Sequence, residues 1–151
     1  MLHNMAKTND YLKPMPVPEE AFQPFFEGAR DHKLMLQRCQ ACGTATWPVK
    51  SLCPTCLHGD LAWVQASGQG VLYSFVLMHQ VFHPGFAAEV PYNIAEVDLA
   101  EGVRMISNIV GCPNAELRIG MPLLVTFEDL TDEISLPKFK PAEPLAEAEV
   151  G

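Results

Sequence analysis

The chain has 151 residues, of which 48% are hydrophobic and 19% charged, and this balance excludes a disordered or fibrous protein. Its 10 Lys and Arg against 18 Asp and Glu give a net charge of −8, which disfavours nucleic acids as partners. Residues 51–103 contain neither Lys nor Arg, so they lack the basic groove that a nucleic-acid-binding barrel needs.

The beginning of the chain lacks the features of an exported or membrane-bound protein. Residues 1–17 are polar and contain prolines, without the apolar core of a secretory signal. No apolar run in the sequence reaches the roughly 18 residues that a membrane span needs. We therefore expect a cytoplasmic protein whose five cysteines stay reduced unless a metal binds them.

A helix is expected over residues 18–32, within an N-terminal unit of residues 1–33. Pro18 suits the first helical position, and two acidic residues follow it, as helix N-termini favour. The helix carries an aromatic stripe at 3,4-type spacing, formed by Phe22, Phe25 and Phe26. The stripe has two interpretations: it packs on the protein's own core, or it binds a partner protein.

Two CxxC pairs separated by ten residues stand out in residues 34–61: Cys39 with Cys42, and Cys53 with Cys56. Each pair places two thiolates on one side of a tight turn, and two facing pairs supply the tetrahedral sulfur set that zinc prefers. Four protein ligands leave no open position for water, so we predict one structural zinc ion and no catalytic metal. Rubredoxin-type iron is the alternative metal. His58, two residues past Cys56, is the alternative to one of the four cysteine ligands, which we expect to form the site.

Short apolar runs separated by Gly-containing turns predict a small, closed or nearly closed barrel over residues 62–140. Five runs are predicted as strands: 61–67, 71–79, 92–99, 103–110 and 121–130. Most of them are apolar on both faces near their centres, as expected if one face packs inside and the other against a second element. Residues 141–151 are rich in Pro, Ala and Glu and predict a disordered acidic tail.

Two further features carry weaker signals. The loop around His79 and His83 is rich in aromatic residues and prolines, and it is either a packed loop or a binding loop at the barrel mouth. Cys112 has no acid–base partner nearby, which indicates a bystander thiol. The sequence contains no phosphate loop or nucleophile elbow, so we do not expect the chain to be an enzyme on its own.

The order of an aromatic helix, a CxxCG-x9-CPxC motif and a small barrel closely resembles a family once catalogued as a domain of unknown function. The resemblance covers about residues 20–141 and is carried jointly by the stretches 36–56, 61–79, 83–102, 108–129 and 136–141. It implies a mainly β protein with an N-terminal helix, a rubredoxin-like zinc ribbon and a C-terminal five-stranded OB-fold barrel.

Members of this family accompany enzymes that act on acyl-CoA. The resemblance implies a non-catalytic zinc-containing subunit of a hetero-oligomer with a thiolase-like enzyme or related acyltransferase, which supplies the catalytic groups. The chain would bridge partner subunits and help to shape the acyl-CoA entrance. The alternatives are an accessory subunit of a hotdog-fold enoyl-CoA hydratase or of an aldolase or lyase acting on acyl-CoA, and a free-standing acyl-CoA binder.

The family's motifs can be carried over residue by residue. Its metal ligands fall on the four paired cysteines, and its barrel loop falls on His83, Pro84, Gly85 and Phe86, which we expect to face the partner or the substrate. Where relatives typically have Pro-Pro-Arg before the second pair, this chain has a cation without the bidentate guanidinium, at Lys50. Any CoA phosphate would be held by the partner or by the cations around the ribbon: Lys33, Arg38 and Lys50.

Overall fold

The structure, a computed structural model, describes residues 11–142 of the chain. Residues 1–10 of the predicted lead-in, and all but the first two residues of the predicted tail, lie outside the described residues. Within residues 11–142, no helix is long and apolar enough to cross a membrane.

One short helix precedes the strands. A 3-10 turn at Glu20–Phe22 leads into helix α1, Gln23–Arg30, which is shorter than the helix predicted over residues 18–32. Pro24, not the first proline of the predicted segment, lies in the first helical turn. The helix ends before His32, whose φ of 58° is the left-handed conformation typical of the residue after a helix.

The first sheet has three strands in the order β2-β1-β3. They are β1 (Met35–Cys39), β2 (Ala45–Thr46) and β3 (Leu61–Gln65). Strand β1 pairs antiparallel with both neighbours, and its register with β3 matches Cys39 to Leu61 and Met35 to Gln65. Because β1 ends at Cys39, this sheet fixes the position of the first cysteine of the predicted metal set.

The second sheet has five antiparallel strands in the order β6-β5-β4-β7-β8. They are β4 (Gln69–Met78), β5 (Tyr92–Leu99), β6 (Arg104–Ser107), β7 (Pro122–Asp129) and β8 (Ser135–Pro141). The sheet curls until its edges meet, where Ile109 and Phe139 form one parallel bridge. This nearly closed five-stranded barrel has the OB-fold arrangement, and the predicted mainly β fold class is confirmed.

The strand prediction was wrong at both ends of the barrel. The run at 61–67 was expected in the barrel, but Leu61–Gln65 pairs with β1 in the three-stranded sheet. The fifth barrel strand is Ser135–Pro141, which has two prolines and two lysines and was not predicted as a strand. It tolerates proline because β8 is an edge strand of the sheet and its bridge across the gap is at Phe139, so the missing N–H groups of its prolines interrupt no second ladder.

A single hydrophobic core joins the helix, the three-stranded sheet and the barrel. The core includes Phe25 from α1, Leu34 and Leu36 beside or within β1, and barrel residues such as Leu72 and Phe139. Leu36, Leu72 and Phe139 are fully buried, with 0% exposure. The three-stranded sheet therefore depends on the barrel for part of its burial, and the barrel depends on the sheet.

Candidate functional site

The four cysteines of the two CxxC pairs lie together at one end of the three-stranded sheet. Their sulfur atoms are all within 4.8 Å of one another, with 3.5 Å between Cys39 and Cys56 and 3.6 Å between Cys42 and Cys53. Cys39 and Cys53 are buried, whereas Cys42 and Cys56 are exposed. This spacing suits four thiolates arranged around one metal ion.

Each CxxC pair closes with the same backbone hydrogen bond. The N–H of Gly43 donates to the carbonyl of Cys39 at 2.9 Å, and the N–H of Leu57 donates to the carbonyl of Cys53 at 2.8 Å. Gly43 and Leu57 both have positive φ, 78° and 64°. Glycine adopts a positive φ without steric cost, so Gly43 fits its turn, whereas a leucine in the equivalent position of the second pair gives no sequence signal of a positive φ.

The second residue after each pair completes the resemblance between the two turns. The carbonyls of Thr44 and His58 accept hydrogen bonds from the N–H of the first cysteine in their pairs, at 2.9 and 2.8 Å. His58 also accepts the N–H of Asp60 on its ring Nδ1 at 3.2 Å, and among the described residues the group that can hold a metal consists of cysteines. His58 therefore supports the second turn instead of joining the ligand group.

The environment of the sulfurs favours a bound cation. Hydrogen bonds from the hydroxyl and the backbone N–H of Thr44 lower the pKa of Cys42 to about 6. The pKa of Cys53 is also lowered, chiefly by the backbone N–H of Cys56. Although the backbone N–H of His58 acts to lower it, desolvation and the neighbouring sulfurs raise the pKa of Cys56 to about 12. Four neighbouring thiolates repel one another, so a cation is needed for all of them to ionise together.

The aromatic stripe of α1 packs on the three-stranded sheet and the core. The rings of Phe25 and Trp47 lie 4.5 Å apart, and Phe22 meets Trp47 edge-on at 6.2 Å. Phe25 is buried, while Phe22 and Phe26 are half-buried. Packing on the protein's own core therefore accounts for Phe25. Binding of a partner protein by Phe22 and Phe26 stays a prediction.

Lys50 lies on the exposed side of the ribbon between the two CxxC pairs. Its backbone is fixed by the buried Gln37, whose Oε1 accepts the Lys50 N–H at 2.8 Å and whose Nε2 donates to the Lys50 carbonyl at 3.2 Å. No sequence pattern indicated this contact, because its two members lie 13 positions apart in the chain. A binding role for the Lys50 ammonium stays a prediction.

The loop at His83–Phe86 packs on the beginning of the described chain. Its 3-10 turn, Pro84–Phe86, is capped by His83, whose Nδ1 accepts the N–H of Gly85 at 3.0 Å. Gly85 lies against the backbone of Leu12, where an added Cβ would come within 2.5 Å of the Leu12 carbonyl oxygen. Lys13 then lies over the Phe86 ring, 5.2 Å from its centre. The loop His83–Phe86, which was predicted from the sequence to bind the partner or the substrate, is thus partly covered by Leu12 and Lys13.

An ion pair completes this contact between the lead-in and the loop. The Lys13 ammonium lies 2.9 Å from a carboxylate oxygen of Glu89, and the Phe86 ring packs on Tyr92 at 5.3 Å. Sequence patterns could not indicate the pair because 76 residues separate its members. Because of these contacts, the loop at His83–Phe86 is held in place by other residues of the same chain and does not need a partner protein to position it.

An apolar groove of about 410 Å³ opens where the helix, the ribbon, the loop and the barrel meet. Its walls include Phe25, Trp47, Phe86, Tyr92, Ile94 and Ile106. The groove brings two sets of predicted residues, the aromatic helix and the His83–Phe86 loop, to one surface. The four cysteines are not among the residues that line it, so the candidate metal centre and the groove are separate sites.

Cys112 lies apart from the other cysteines, in the loop after β6. Desolvation, together with the charge of Glu116, raises the pKa of its thiol. A raised pKa lowers the thiolate fraction at neutral pH, which fits the prediction of a bystander thiol.

Two family models match the chain along its length. The ChsH2 rubredoxin-like zinc ribbon domain matches residues 26–62, and the ChsH2 C-terminal OB-fold domain matches residues 63–128. The chain belongs to the ChsH2/DUF35 family. This finding confirms the resemblance seen in the sequence, and it identifies the three-stranded sheet with its cysteines as the zinc ribbon.

Several named relatives are similar to this chain in sequence. A "Probable enoyl-CoA hydratase alpha subunit" of Thermomonospora curvata is 38% identical over 91% of this chain, which spans only 42% of that relative's length. A "DUF35 domain-containing scaffold protein" of Methanocaldococcus jannaschii is 34% identical over 70% of this chain and 79% of its own length. The "Benzoylsuccinyl-CoA thiolase subunit BbsA" of Thauera aromatica is 27% identical, over 83% of this chain and 81% of its own.

Among the solved structures, one that is similar to most of the chain has a related name. A chain of the "Ltp2-ChsH2(DUF35) aldolase" aligns with a TM-score of 0.76 and 37% identity, covering 85% of this chain and 100% of that one. The named relatives thus include a hydratase subunit, a scaffold protein, a thiolase subunit and an aldolase.

Proposed function

We propose that this ChsH2/DUF35 chain is a non-catalytic scaffold subunit of a thiolase-like or related acyltransferase complex that acts on acyl-CoA. In this proposal the partner supplies the catalytic groups, while the chain bridges partner subunits and helps to shape the substrate entrance. The observation that carries the proposal is a closed four-cysteine site, joined to a barrel through one common core. Such a site stabilises a fold and leaves no position for a reacting molecule.

The ion in this site is proposed to be zinc. Four thiolates held by two tight turns suit tetrahedral zinc, and the match to a zinc ribbon domain supports the same ion. Cys39, Cys42, Cys53 and Cys56 would hold it, with Thr44 hydrogen bonded to the Cys42 sulfur at 3.2 Å. When bound, the ion supplies folding free energy to the ribbon and takes no part in a reaction. Iron in the same coordination is the alternative.

The apolar groove is the proposed place where the chain contributes to a substrate entrance. Aromatic walls suit an acyl group. The loop at His83–Phe86 forms one side of the groove through Phe86, whose ring packs on Tyr92. The exposed Lys50 lies on the ribbon and could contact a CoA phosphate only as a point charge. We propose that the partner supplies most of the contacts to those phosphates.

A second candidate function is an accessory subunit of an enoyl-CoA hydratase or an aldolase. It is favoured by the T. curvata hydratase subunit, at 38% identity, and by the similarity to the chain of the Ltp2-ChsH2(DUF35) aldolase. Both functions place the same scaffold beside an acyl-CoA enzyme and differ in the chemistry of the partner. A free-standing acyl-CoA binder is the third candidate.

Affinity purification of the tagged chain from its native host, with proteins identified by mass spectrometry, distinguishes the candidates. The scaffold proposal expects an acyl-CoA enzyme at near-stoichiometric yield, and the type of enzyme decides between the first two functions. A chain that purifies alone and monodisperse would contradict both. Calorimetry with CoA thioesters would then test the free-standing binder.

A further inference from the structure

The outer face of the barrel carries large apolar side chains that the described chain leaves exposed. Val71, Tyr73 and Val76 on β4 are 41%, 46% and 56% exposed, and Ile106 on β6 is 67% exposed. We call these four residues the outer patch. The sequence predicted a second element packed on this side of the strands, and residues 11–142 do not cover it.

The strand register places the outer patch on one continuous face. Val71 pairs with Asp98, which pairs with Arg104, and Ile106 pairs with Glu96 on the same central strand. The residues that alternate with them, such as Leu72 and Val97, are fully buried in the core. The outer patch therefore lies on β4 and β6, with the outward-facing residues of the central strand β5 between them.

One aromatic ring of the outer patch is held in position by a charged pair. The guanidinium of Arg104 lies 3.4 Å from the centre of the Tyr73 ring. Asp98 fixes that guanidinium by accepting from Nε at 2.7 Å and from a terminal nitrogen at 3.3 Å. A preorganised tyrosine beside an arginine is the combination enriched at the energetic centres of protein interfaces, because little side-chain freedom remains to be lost on binding.

The charge around the outer patch is negative. Arg104 is the only Lys or Arg in β4, β5 and β6, and against Asp98 and Glu96 it leaves this face at +1 − 2 = −1. A second copy of the chain would bring the same negative charge to the contact, whereas a surface flanked by Lys or Arg would complement it.

We propose that the outer patch is the docking surface for the acyl-CoA enzyme subunit, which meets it with an apolar surface flanked by Lys or Arg. This inference rests on the proposed scaffold function and names the surface through which that function is carried out. Phe82, 70% exposed in the loop after β4, extends the apolar surface beyond the sheet. The ribbon lies outside the outer patch. The groove shares one residue with the outer patch, Ile106.

The test compares two isoleucines of nearly equal exposure. Ile106 in the outer patch is 67% exposed, and Ile119 in the loop between β6 and β7 is 63% exposed. The probe is the acyl-CoA enzyme subunit that co-purifies with the wild-type chain, isolated and titrated against each variant by calorimetry. We expect Ile106→Asp to raise Kd at least tenfold and Ile119→Asp to change it less than twofold, with equal melting temperatures for the two variants.

A charge variant tests the other half of the proposal. Glu96→Gln should weaken the dependence of Kd on salt concentration, because one attraction to the partner's Lys or Arg is lost.

If the complex forms and Ile106→Asp binds as tightly as wild type, the docking surface is wrong while the scaffold function stands. If no acyl-CoA enzyme co-purifies, the scaffold function fails and this inference with it. If Ile106→Asp instead dissociates a homodimer of the isolated chain, the occupant is a second copy and the proposal is overturned.

Discussion

Removing the metal should unfold the zinc ribbon and weaken the barrel without unfolding it. The perturbation is either exhaustive chelation or Cys53→Ser, which replaces a buried ligand. Without the ion, the two CxxC turns lose the bonds that join them, and β1 loses its anchored end at Cys39. Strand β3 then loses its partner, since within residues 11–142 β3 pairs with β1 and with no other strand.

The cost to the barrel can be worked out from the core shared with the ribbon. Leu34 and Leu36 have 1% and 0% exposure and pack in the same cluster as the barrel side chains. Burial of one such side chain contributes about 1.5–3 kcal/mol, so exposing both removes about 3–6 kcal/mol. A domain stability above about 6 kcal/mol, within the usual range of about 5–15 kcal/mol, leaves the barrel folded after this loss.

Hydrogen exchange measured by mass spectrometry separates the two regions. We expect amides in the ribbon strands, Met35–Cys39 and Leu61–Gln65, to exchange rapidly in the metal-free chain, while β5 amides remain protected. Cys112→Ser is the matched control, because it removes a cysteine outside the metal set and should leave both regions unchanged. Ribbon amides that stay equally protected after metal removal would refute the reasoning.

Three further predictions concern single residues. Asn93→Leu should lower the free energy of unfolding by about 2–5 kcal/mol in urea titrations, because the Asn93 amide bonds both the N–H and the carbonyl of buried Ile109, at 2.7 and 2.9 Å; an unchanged midpoint would contradict this. Gly43→Ala should cost about 1–2 kcal/mol in the metal-loaded chain, since Gly43 has a φ of 78°, whereas Leu57→Gly relieves the same strain and should cost less. Cys112 should react with iodoacetamide more slowly at pH 8 than a free thiol, because desolvation raises its pKa; an equal rate would show that the thiol is not desolvated.

Patterns that are local in sequence predicted much of the fold. The spacing of the four cysteines indicated one cluster, because CxxC turns fix the relative positions of their own sulfurs. The apolar run at 92–99 located β5, which spans Tyr92–Leu99 with alternating buried and half-buried residues. Both signals depend only on residues within one turn or one strand.

Features that depend on distant residues were not predictable in the same way. Strand β8 was missed because Pro137 and its lysines resemble a loop, and its only fully buried side chain besides Ser135 is Phe139. The assignment of Leu61–Gln65 to the barrel failed because the strand pattern does not reveal which sheet a strand joins. The contact of Lys13 with Glu89 likewise depends on the folded arrangement of the lead-in.

The outer patch shows the limit of reading strands from composition. The strands are apolar on both faces, and the sequence analysis expected the outer face to pack against a second element. Val71, Val76 and Ile106 lie on that outer face and are exposed. Burial in the barrel accounts for one face only, and the acidic surroundings then favour an external partner over a second copy of the chain. The same pattern would describe a fully buried strand, so composition alone does not determine which face is exposed.

Native mass spectrometry of the complex purified from the native host tests the central claim most directly, because one spectrum reports both subunits and metal. The account predicts a mass that corresponds to this chain bound to an acyl-CoA enzyme, with one zinc ion for each copy of the chain. A mass equal to the 16.7 kDa chain alone, or a complex without metal in the ribbon, would contradict it.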